Sequence, residues 1–280
     1  MSQQVALVTG ASRGIGKAVA VHLARAGFDV AIGARTMEEG EAREHSSTIK
    51  ASNTKPLPGS LSSTAALVEK EGRQAMAVYL DLLDRASLGA AVTTVLERWG
   101  RIDVLVNNGR YIGPGHMDLF MDTPMELHEK HLEANVLAPI VLSRLVLPQM
   151  LSRGSGHIVN VTSSAGNERP PAPAGQGGWG LGYAMSKGAM HRLAGILHVE
   201  LHGQGIRAYN LHPGAVQTER LAADMGDFGF DSSQWAPPDV VGAAAVWLVT
   251  TPEGNARSGE WVESQDLCRD LGLVPGWPAG

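Results

Sequence analysis

The sequence is poor in cysteine, in clustered positive charge and in long apolar runs. Cys268 is the only cysteine among 280 residues, which excludes an intramolecular disulfide and a cysteine-based metal site and fits a reducing cytoplasm. The net charge of −5, without a basic block, argues against a nucleic-acid-binding surface. The N-terminal residues show no charged leader, and no run reaches about 18 apolar residues. We therefore predict a cytoplasmic protein without a signal peptide, membrane span or nucleic-acid partner.

Apolar runs of strand length alternate with segments of helical length along most of the chain. The pattern predicts strands at 5–8, 28–33, 75–80, 102–106, 157–161 and 206–211, and helices at 15–26, 63–72, 85–99, 124–152, 181–202 and 238–249. Pro139 and Pro148 are expected to kink the longest helix. Such alternation predicts one α/β domain over residues 1–280, a doubly wound parallel sheet with ligands at the carboxyl ends of its strands.

A glycine turn, Gly10, Gly14 and Gly16, separates the first strand from the first helix. Glycines allow a tight turn and a close approach to a pyrophosphate, and the helix N-terminus supplies free N–H groups. A phosphate-loop NTPase is excluded, because five residues separate Gly10 from Gly16 where four are needed, and Ala18 replaces the Mg²⁺-binding hydroxyl. The turn predicts a dinucleotide site, with a purely structural glycine turn as the alternative.

The end of the second strand bears on the type of dinucleotide. An acidic residue there would bind the ribose 2′-hydroxyl of NAD, whereas this strand is followed by Arg35. Arg13 lies inside the glycine turn, and two guanidinium groups suit a 2′-phosphate. The sequence therefore favours NADP(H) over NAD(H), with solvated arginines as the alternative.

Two irregular segments interrupt the alternation. Residues 37–63 are polar and predict an inserted, partly flexible loop, which is either an excursion without function or a cover for the adenosine end of a cofactor or a subunit contact. Residues 215–235 predict a mobile segment. Its Met225, Phe228 and Phe230 form either an apolar lid over substrate or a subunit contact.

Tyr183 and Lys187 lie four residues apart in the fifth predicted helix, and therefore on one helical face. A free phenol has a pKa of about 10, and a nearby ammonium favours its ionised form. Such a pair can build a general acid/base that works near neutral pH. Alone the pattern is weak, because a surface tyrosine packed on a lysine stem has the same spacing.

Several motifs together, in their order along the chain, resemble the short-chain dehydrogenase/reductase family over about residues 4–250. They are Thr9-Gly-Ala-Ser-Arg-Gly-Ile-Gly16, Asn107-Asn108-Gly109, Asn135, Ser163, Tyr183-x-x-x-Lys187 and Pro213-Gly214. The resemblance implies a Rossmann-type domain with a seven-stranded parallel sheet, in a homodimer or homotetramer. It also implies an NADP(H)-dependent oxidoreductase that interconverts an alcohol and a ketone or aldehyde.

The resemblance assigns roles to four residues near the reacting atoms. Tyr183 matches the catalytic acid/base, and Lys187 the residue that favours its phenolate and binds the nicotinamide ribose. Asn135 resembles the asparagine that holds a water molecule in the proton relay. Ser163 is preferred to Ser164 as the catalytic serine, because only Ser163 precedes Gly166 at the family's Ser-x-x-Gly spacing.

The resemblance also assigns the cofactor-binding residues. Asp81 is expected beside the adenine, Asn107 along the cofactor groove, and Thr218 at the carboxamide. The full set is Gly10, Ser12, Arg13, Gly14, Ile15, Gly16, Arg35, Asp81, Leu82, Asn107, Tyr183, Lys187, Pro213, Gly214, Val216 and Thr218. No metal site is expected; His198 and His202 lack the glutamate placement of a zinc protease.

Three features depart from the family pattern. Ser163 and Tyr183 lie 20 positions apart, a longer loop than usual, whose extra residues 168–179 either shape an apolar substrate entrance with Trp179 or bulge away from the site. Arg110 follows Asn107-Asn108-Gly109, where the family has Asn-Asn-Ala-Gly. Residues 260–266 replace the usual Val-Asp-Gly-Gly. Two other functions stay open, a nucleotide sensor without turnover and a dehydratase or isomerase on this fold.

Overall fold

A seven-stranded, fully parallel sheet forms the centre of the protein. The computed structural model describes residues 3–224, 228 and 235–278. The strand order is β3-β2-β1-β4-β5-β6-β7. The strands are β1 Gln4–Thr9, β2 Phe28–Ala34, β3 Ala75–Tyr79, β4 Val104–Asn107, β5 Gly156–Val161, β6 Ile206–His212 and β7 Trp261–Glu263. This arrangement confirms the predicted doubly wound, Rossmann-type sheet of seven strands.

Helices connect successive strands and cover both faces of the sheet. Their bounds are α1 Gly14–Arg25, α2 Leu61–Lys70, α3 Arg85–Trp99, α4 Met125–Leu132, α5 Ala138–Arg153, α6 Leu181–Leu201, α7 Glu219–Asp224, α8 Asp239–Thr250, α9 Pro252–Ala256 and α10 Ser264–Leu271. The start of α2 was predicted two residues late. Ser60 caps this helix by accepting a hydrogen bond from the Ser63 N–H at 3.0 Å, so the inserted segment ends at residue 60.

The core has two halves, one on each face of the sheet. Val8, Val106 and Val159 are fully buried with the apolar residues of α1 and α8. Leu7 and Leu105 are fully buried on the other face with α3 and α5. Strands buried on both faces read as continuous apolar runs, which is why the sequence pattern located them well.

The long helix predicted at 124–152 is interrupted in the middle. A π-helical turn, Glu133–Leu137, separates α4 from α5, and Pro139 lies in the first turn of α5. The stretch Met125–Arg153 is long and apolar enough to cross a membrane by composition. However, Leu142, Val146 and Met150 are fully buried against the sheet, as in the core helix of a soluble fold.

Candidate functional site

A cleft of about 510 Å³ lies at the carboxyl edge of the sheet, where the strand order diverges between β1 and β4. Fifteen of the sixteen predicted cofactor-binding residues line it; Asn107 does not. Ser163, Tyr183 and Lys187 line the same cleft, and Asn135 does not. The structure therefore brings residues separated by up to about two hundred positions into one site.

The glycine turn holds its backbone open to the cleft. Gly10 and Gly14 have φ of +66° and +54°, the left-handed region that glycine tolerates. A Cβ at Gly16 would lie 2.2 Å from the Gly10 carbonyl oxygen and 2.5 Å from Asn108 Nδ2. Asn108 Nδ2 donates to the Thr9 carbonyl at 2.9 Å and so braces the turn. This shallow cradle at a helix N-terminus fits the pyrophosphate of a dinucleotide.

One N–H of that helix terminus is already bonded. Glu219, the first residue of α7, accepts a hydrogen bond from the Gly14 N–H at 2.9 Å and forms an ion pair with Lys17. Burial raises the pKa of the Glu219 carboxyl, but its bonds with Lys17 and Gly14 leave that pKa below the usual value. The contact ties α7 to the glycine turn.

Arg13 and Arg35, the two predicted 2′-phosphate ligands, differ in their surroundings. Arg13 Nε donates to the Pro58 carbonyl at 2.9 Å, and its Nη2 donates to the Gly59 carbonyl at 2.7 Å. Burial lowers the pKa of Arg13. Arg35 lines the cleft directly after β2, and Arg43 Nη2 donates to its carbonyl at 3.0 Å. Arg13 is thus held by carbonyls of the inserted segment and Arg43 by the Arg35 carbonyl and the Glu41 carboxylate, whereas the Arg35 guanidinium has no hydrogen-bond partner among the described residues.

The inserted segment before α2 packs onto the glycine turn and onto the loop that follows β4. Its Gly59 touches the glycine turn, where an added Cβ would lie 2.6 Å from the Ser12 carbonyl oxygen. The Ser47 carbonyl accepts from the Met117 N–H at 2.9 Å, and Thr48 Oγ1 donates to the buried Asp118. Several of its residues line the cleft, which favours the predicted cover over an excursion without function.

Lys187 and Ser163 are brought together by close backbone packing. A Cβ at Gly166 would lie 2.6 Å from the Gly188 nitrogen, so only glycine lets the turn after Ser163 rest on α6. This contact gives the Ser-x-x-Gly spacing a physical reason. Lys187 Nζ donates to the Val161 carbonyl at 2.8 Å, at the end of β5, and lies 6.0 Å from the Tyr183 ring centroid.

The Lys187 ammonium is almost fully buried, at 5% exposure. Burial first, and then the charge of Arg110, lower its pKa from 10.5 to about 7. The protonated form is therefore favoured only below about neutral pH in the protein without ligands. A polyanionic cofactor beside it would favour the protonated form.

Asn107 and Asn135 lie outside the lining of the cleft. Asn107 is still inside β4, and its Nδ2 donates to Asn160 Oδ1 of β5 at 3.0 Å, so its side chain is held within the sheet. The neighbouring Asn108 is the asparagine that lines the cleft. Asn135, in the π turn, accepts from the Tyr111 N–H at 2.6 Å and donates to Ser186 Oγ at 2.9 Å. It connects the loop after β4 to the helix that carries Tyr183.

The longer loop before Tyr183 faces the cleft. Trp179 lines it, and the Gly180 N–H donates to the His116 carbonyl at 2.8 Å. The Gly177 N–H donates to the Phe228 carbonyl at 2.8 Å, which connects this loop to the segment after α7. Met225 and Phe230 of the predicted lid lie outside the described residues. Trp179 therefore lines the cleft and does not bulge away from it.

Sequence reasoning missed a set of residues around Tyr183. The Arg110 guanidinium carbon lies 5.5 Å from the Tyr183 ring centroid, and the His116 ring centroid lies 4.4 Å from it. Tyr111 and Arg220 also line the cleft. Only Arg110 left a signal in the sequence, as a cation in an otherwise small-residue motif. In the described part of the chain, no group of three His, Cys, Asp or Glu residues could hold a metal ion.

Comparisons with known proteins agree with this geometry. The family model described as "short chain dehydrogenase" matches residues 4–66 and 55–226. An "Uncharacterized NAD-dependent oxidoreductase" of Mycobacterium tuberculosis is 35% identical over 277 residues, covering 92% of this chain and 93% of the relative. A metagenomic short-chain oxidoreductase solved in complex with NADP is 26% identical, with a TM-score of 0.70 over 93% of this chain and 95% of that chain.

Human "Dehydrogenase/reductase SDR family member 7" is 35% identical over 219 residues, which cover 78% of this chain. The chain spans 57% of the length of that human relative. The match therefore does not extend over the whole human protein.

Proposed function

Since the chain belongs to the short-chain dehydrogenase/reductase family and is an NAD(P)-dependent oxidoreductase, we propose that it interconverts an alcohol and a ketone or aldehyde with Tyr183 as acid/base. The observation that carries this proposal is the meeting of Tyr183, Lys187 and Ser163 in one cleft with the glycine turn. A panel of ketones and alcohols, followed by the near-ultraviolet absorbance of the reduced nicotinamide, tests it. Absence of turnover with every member would contradict it.

The chain's own residues supply the proton chemistry of the proposed reaction. The bound cofactor supplies a hydride to the carbonyl carbon, or accepts it in the reverse direction. Tyr183 gives its phenolic proton to the carbonyl oxygen, so that C=O becomes CH–OH, and the buried ammonium of Lys187 favours the phenolate left behind. The Ser163 hydroxyl donates to the same oxygen and stabilises its developing charge.

The proposed role of Asn135 is to position the reacting helix and to hold a relay water. Its side chain connects to Ser186 Oγ, which donates to the Tyr183 carbonyl at 2.9 Å. The π turn that contains it supports a functional role, because such turns recur at functional sites. Deuterium-solvent proton inventories on an Asn135→Ala variant would report on this relay.

We further propose that the cofactor is NADP(H). Arg35 and Arg43 support this, because both line the adenosine end of the cleft and guanidinium groups suit a phosphate. The names of similar proteins point both ways, one to NAD and one to NADP. The carboxylates Glu41 and Glu44 line the same end, but their acceptors serve backbone N–H groups of the insertion, and Glu41 also pairs with Arg43.

The Arg35→Ser variant tests this cofactor preference. We expect the ratio of kcat/KM for NADPH over NADH to fall roughly 10- to 100-fold, because a charge-assisted contact to the 2′-phosphate is lost. Arg98→Ser, in a helix away from the cleft, is the control and should leave the ratio unchanged. A wild-type enzyme that uses NADH far more efficiently than NADPH would contradict the assignment.

The substrate body and the assembly also belong to this proposal. Tyr111, Ile112, Met117 and Trp179 line the cleft near Tyr183 and support a partly apolar substrate.

Phe120, Met121 and Met125 are 68%, 86% and 69% exposed beside one another in sequence, which supports a subunit contact in a homodimer or homotetramer. Sedimentation velocity would distinguish these from a monomer. The soluble fold and the buried lone thiol of Cys268 support a cytoplasmic location.

A further inference from the structure

The end of the cleft that surrounds Tyr183 carries concentrated positive charge. Arg110 and Lys187 both face the Tyr183 ring, with the Arg110 guanidinium carbon at 5.5 Å and Lys187 Nζ at 6.0 Å from its centroid. Lys187 has an assigned task in the proposed mechanism, whereas Arg110 has none. Arg110 is half-buried, and a half-buried cation without a task requires a reason, because removing an uncompensated charge from water is unfavourable.

The Arg110 guanidinium is only partly satisfied by the protein. Its Nη1 donates to the Tyr111 carbonyl at 3.0 Å. Within the described residues, no carboxylate forms an ion pair with it. The cleft-lining carboxylates of Glu44 and Asp81 accept bonds within their own loops, from the Asn53 N–H at 3.0 Å and the Leu83 N–H at 3.0 Å. Arg110 therefore keeps N–H donors for a ligand.

Two further polar groups of the same cleft have buried nitrogen atoms without a partner among the described residues. His116 is 6% exposed, its ring lies 4.4 Å from the Tyr183 ring, and its Nδ1 has no hydrogen-bond partner within the described chain. Trp179 lines the same cleft, and its buried Nε1–H likewise has no partner there. Burial and the nearby cations hold the pKa of His116 well below 6.5, so that its imidazole is neutral and offers one donor. Buried polar groups of this kind require a partner, such as an ordered water molecule or a polar atom of a ligand.

We propose that the substrate carries a carboxylate close to its reacting carbonyl or hydroxyl group, and that Arg110 binds this carboxylate with His116 and Trp179 as further hydrogen-bond donors. This inference rests on the proposed function, since it names the substrate class of the same cleft. The planar guanidinium matches a carboxylate in a bidentate pair. The apolar residues Ile112 and Met117 accommodate the rest of the molecule, so the substrate class is an oxo acid or hydroxy acid with an apolar body.

Matched pairs of oxo acids and their methyl esters test the proposal. Pyruvate, acetoacetate and levulinate place zero, one and two methylene groups between the carbonyl and the carboxylate, and benzoylformate adds an aromatic body. With NADPH or NADH saturating, we expect kcat/KM of at least one acid to exceed that of its ester roughly 10- to 100-fold, the value of a charged hydrogen bond. Phosphonate and sulfonate analogues of the preferred acid distinguish a carboxylate site from a general oxyanion site.

The Arg110→Gln variant should remove this preference, so that the ratio of kcat/KM for the acid over its ester falls to about one; the ratio is the readout because Arg110 also contacts the Tyr183 ring and affects Lys187. Arg110→Lys keeps the positive charge but lacks the planar guanidinium, and it should retain part of the preference. Partial retention would show that the loss in Arg110→Gln is not caused by a folding defect. Arg144→Gln, an exposed arginine of α5, is the control for a change in overall charge. Fluorescence titration with the reduced cofactor should give the same Kd for all variants. A cofactor Kd that rises as much as the acid rate falls would instead assign Arg110 to the cofactor and overturn the proposal.

Calorimetric titration of the same acids and esters, with oxidised cofactor bound, decides the inference independently of turnover. We expect the acids to bind more tightly than their esters in the wild-type protein and equally in Arg110→Gln. If the acids bind in this way but no carbonyl compound is reduced, the proposed function fails and the carboxylate site stands. If reduction occurs and esters perform as well as acids in both rate and binding, the function stands and the carboxylate site is wrong.

Discussion

Tyr183→Phe is expected to lower kcat by about 10²- to 10⁴-fold, the usual contribution of a general acid/base. The substitution removes only the phenolic oxygen from a side chain whose ring already packs on His116 at 4.4 Å between centroids. The free energy of unfolding and the Kd for the cofactor should therefore stay close to wild type. Stopped-flow reduction of a working ketone measures the rate, and fluorescence titration measures the Kd.

Tyr79→Phe is the matched control for this prediction. Tyr79 ends β3, is 46% exposed and does not line the cleft. The same loss of a hydroxyl should leave kcat unchanged there. Wild-type turnover in Tyr183→Phe would remove the proposed mechanism, while a fall in cofactor affinity equal to the fall in rate would assign the tyrosine to binding alone.

Gly16→Ala should damage both folding stability and cofactor binding. The added Cβ would lie 2.2 Å from the Gly10 carbonyl oxygen, and this backbone atom can move only if the glycine turn changes shape. Overpacking of this kind costs about 1–3 kcal/mol in the free energy of unfolding. The displaced turn would no longer fit the pyrophosphate, and we expect the cofactor Kd to rise about 10-fold or more, equivalent to about 1.4 kcal/mol.

Gly89→Ala provides the control, because an added Cβ in the middle of α3 would meet no atom within 4 Å. Replacing a helical glycine by alanine stabilises by about 0.5–1 kcal/mol. Urea unfolding should therefore move in opposite directions for the two variants, and cofactor affinity should change only for Gly16→Ala. Equal cofactor affinity in the two variants would show that the turn does not contact the dinucleotide.

The sequence reveals the parts of the fold and site that depend on local patterns. Tyr183 and Lys187 share a helical face by spacing alone, and the glycines after β1 follow from the chemistry of a tight turn. Strand β1 contains the continuous apolar run Val5 to Val8, which is fully buried in the structure. In contrast, β7 has only three residues and alternates too briefly to show a period.

The remaining features depend on contacts between distant segments. Asn107 and Asn108 are adjacent, and only the end of β4 decides which side chain stays in the sheet and which reaches the cleft. The inserted segment is held by individual hydrogen bonds, such as the one from Arg13 Nε to the Pro58 carbonyl. Such bonds leave no periodic pattern in the sequence. The position of Arg110 over Tyr183 likewise follows from the path of the loop after β4 and could not be read from the sequence.

The most direct test of the central claim follows the hydride itself. A reduced cofactor deuterated on one face of the nicotinamide C4 is mixed with the enzyme and a ketone that it turns over, and the alcohol is analysed by mass spectrometry. Our account predicts that deuterium from one face alone appears on the carbinol carbon in the wild-type reaction, and that Tyr183→Phe slows its appearance by about 10²-fold or more. Alcohol formed without deuterium from either face, or equal rates in the two proteins, would contradict hydride transfer assisted by Tyr183.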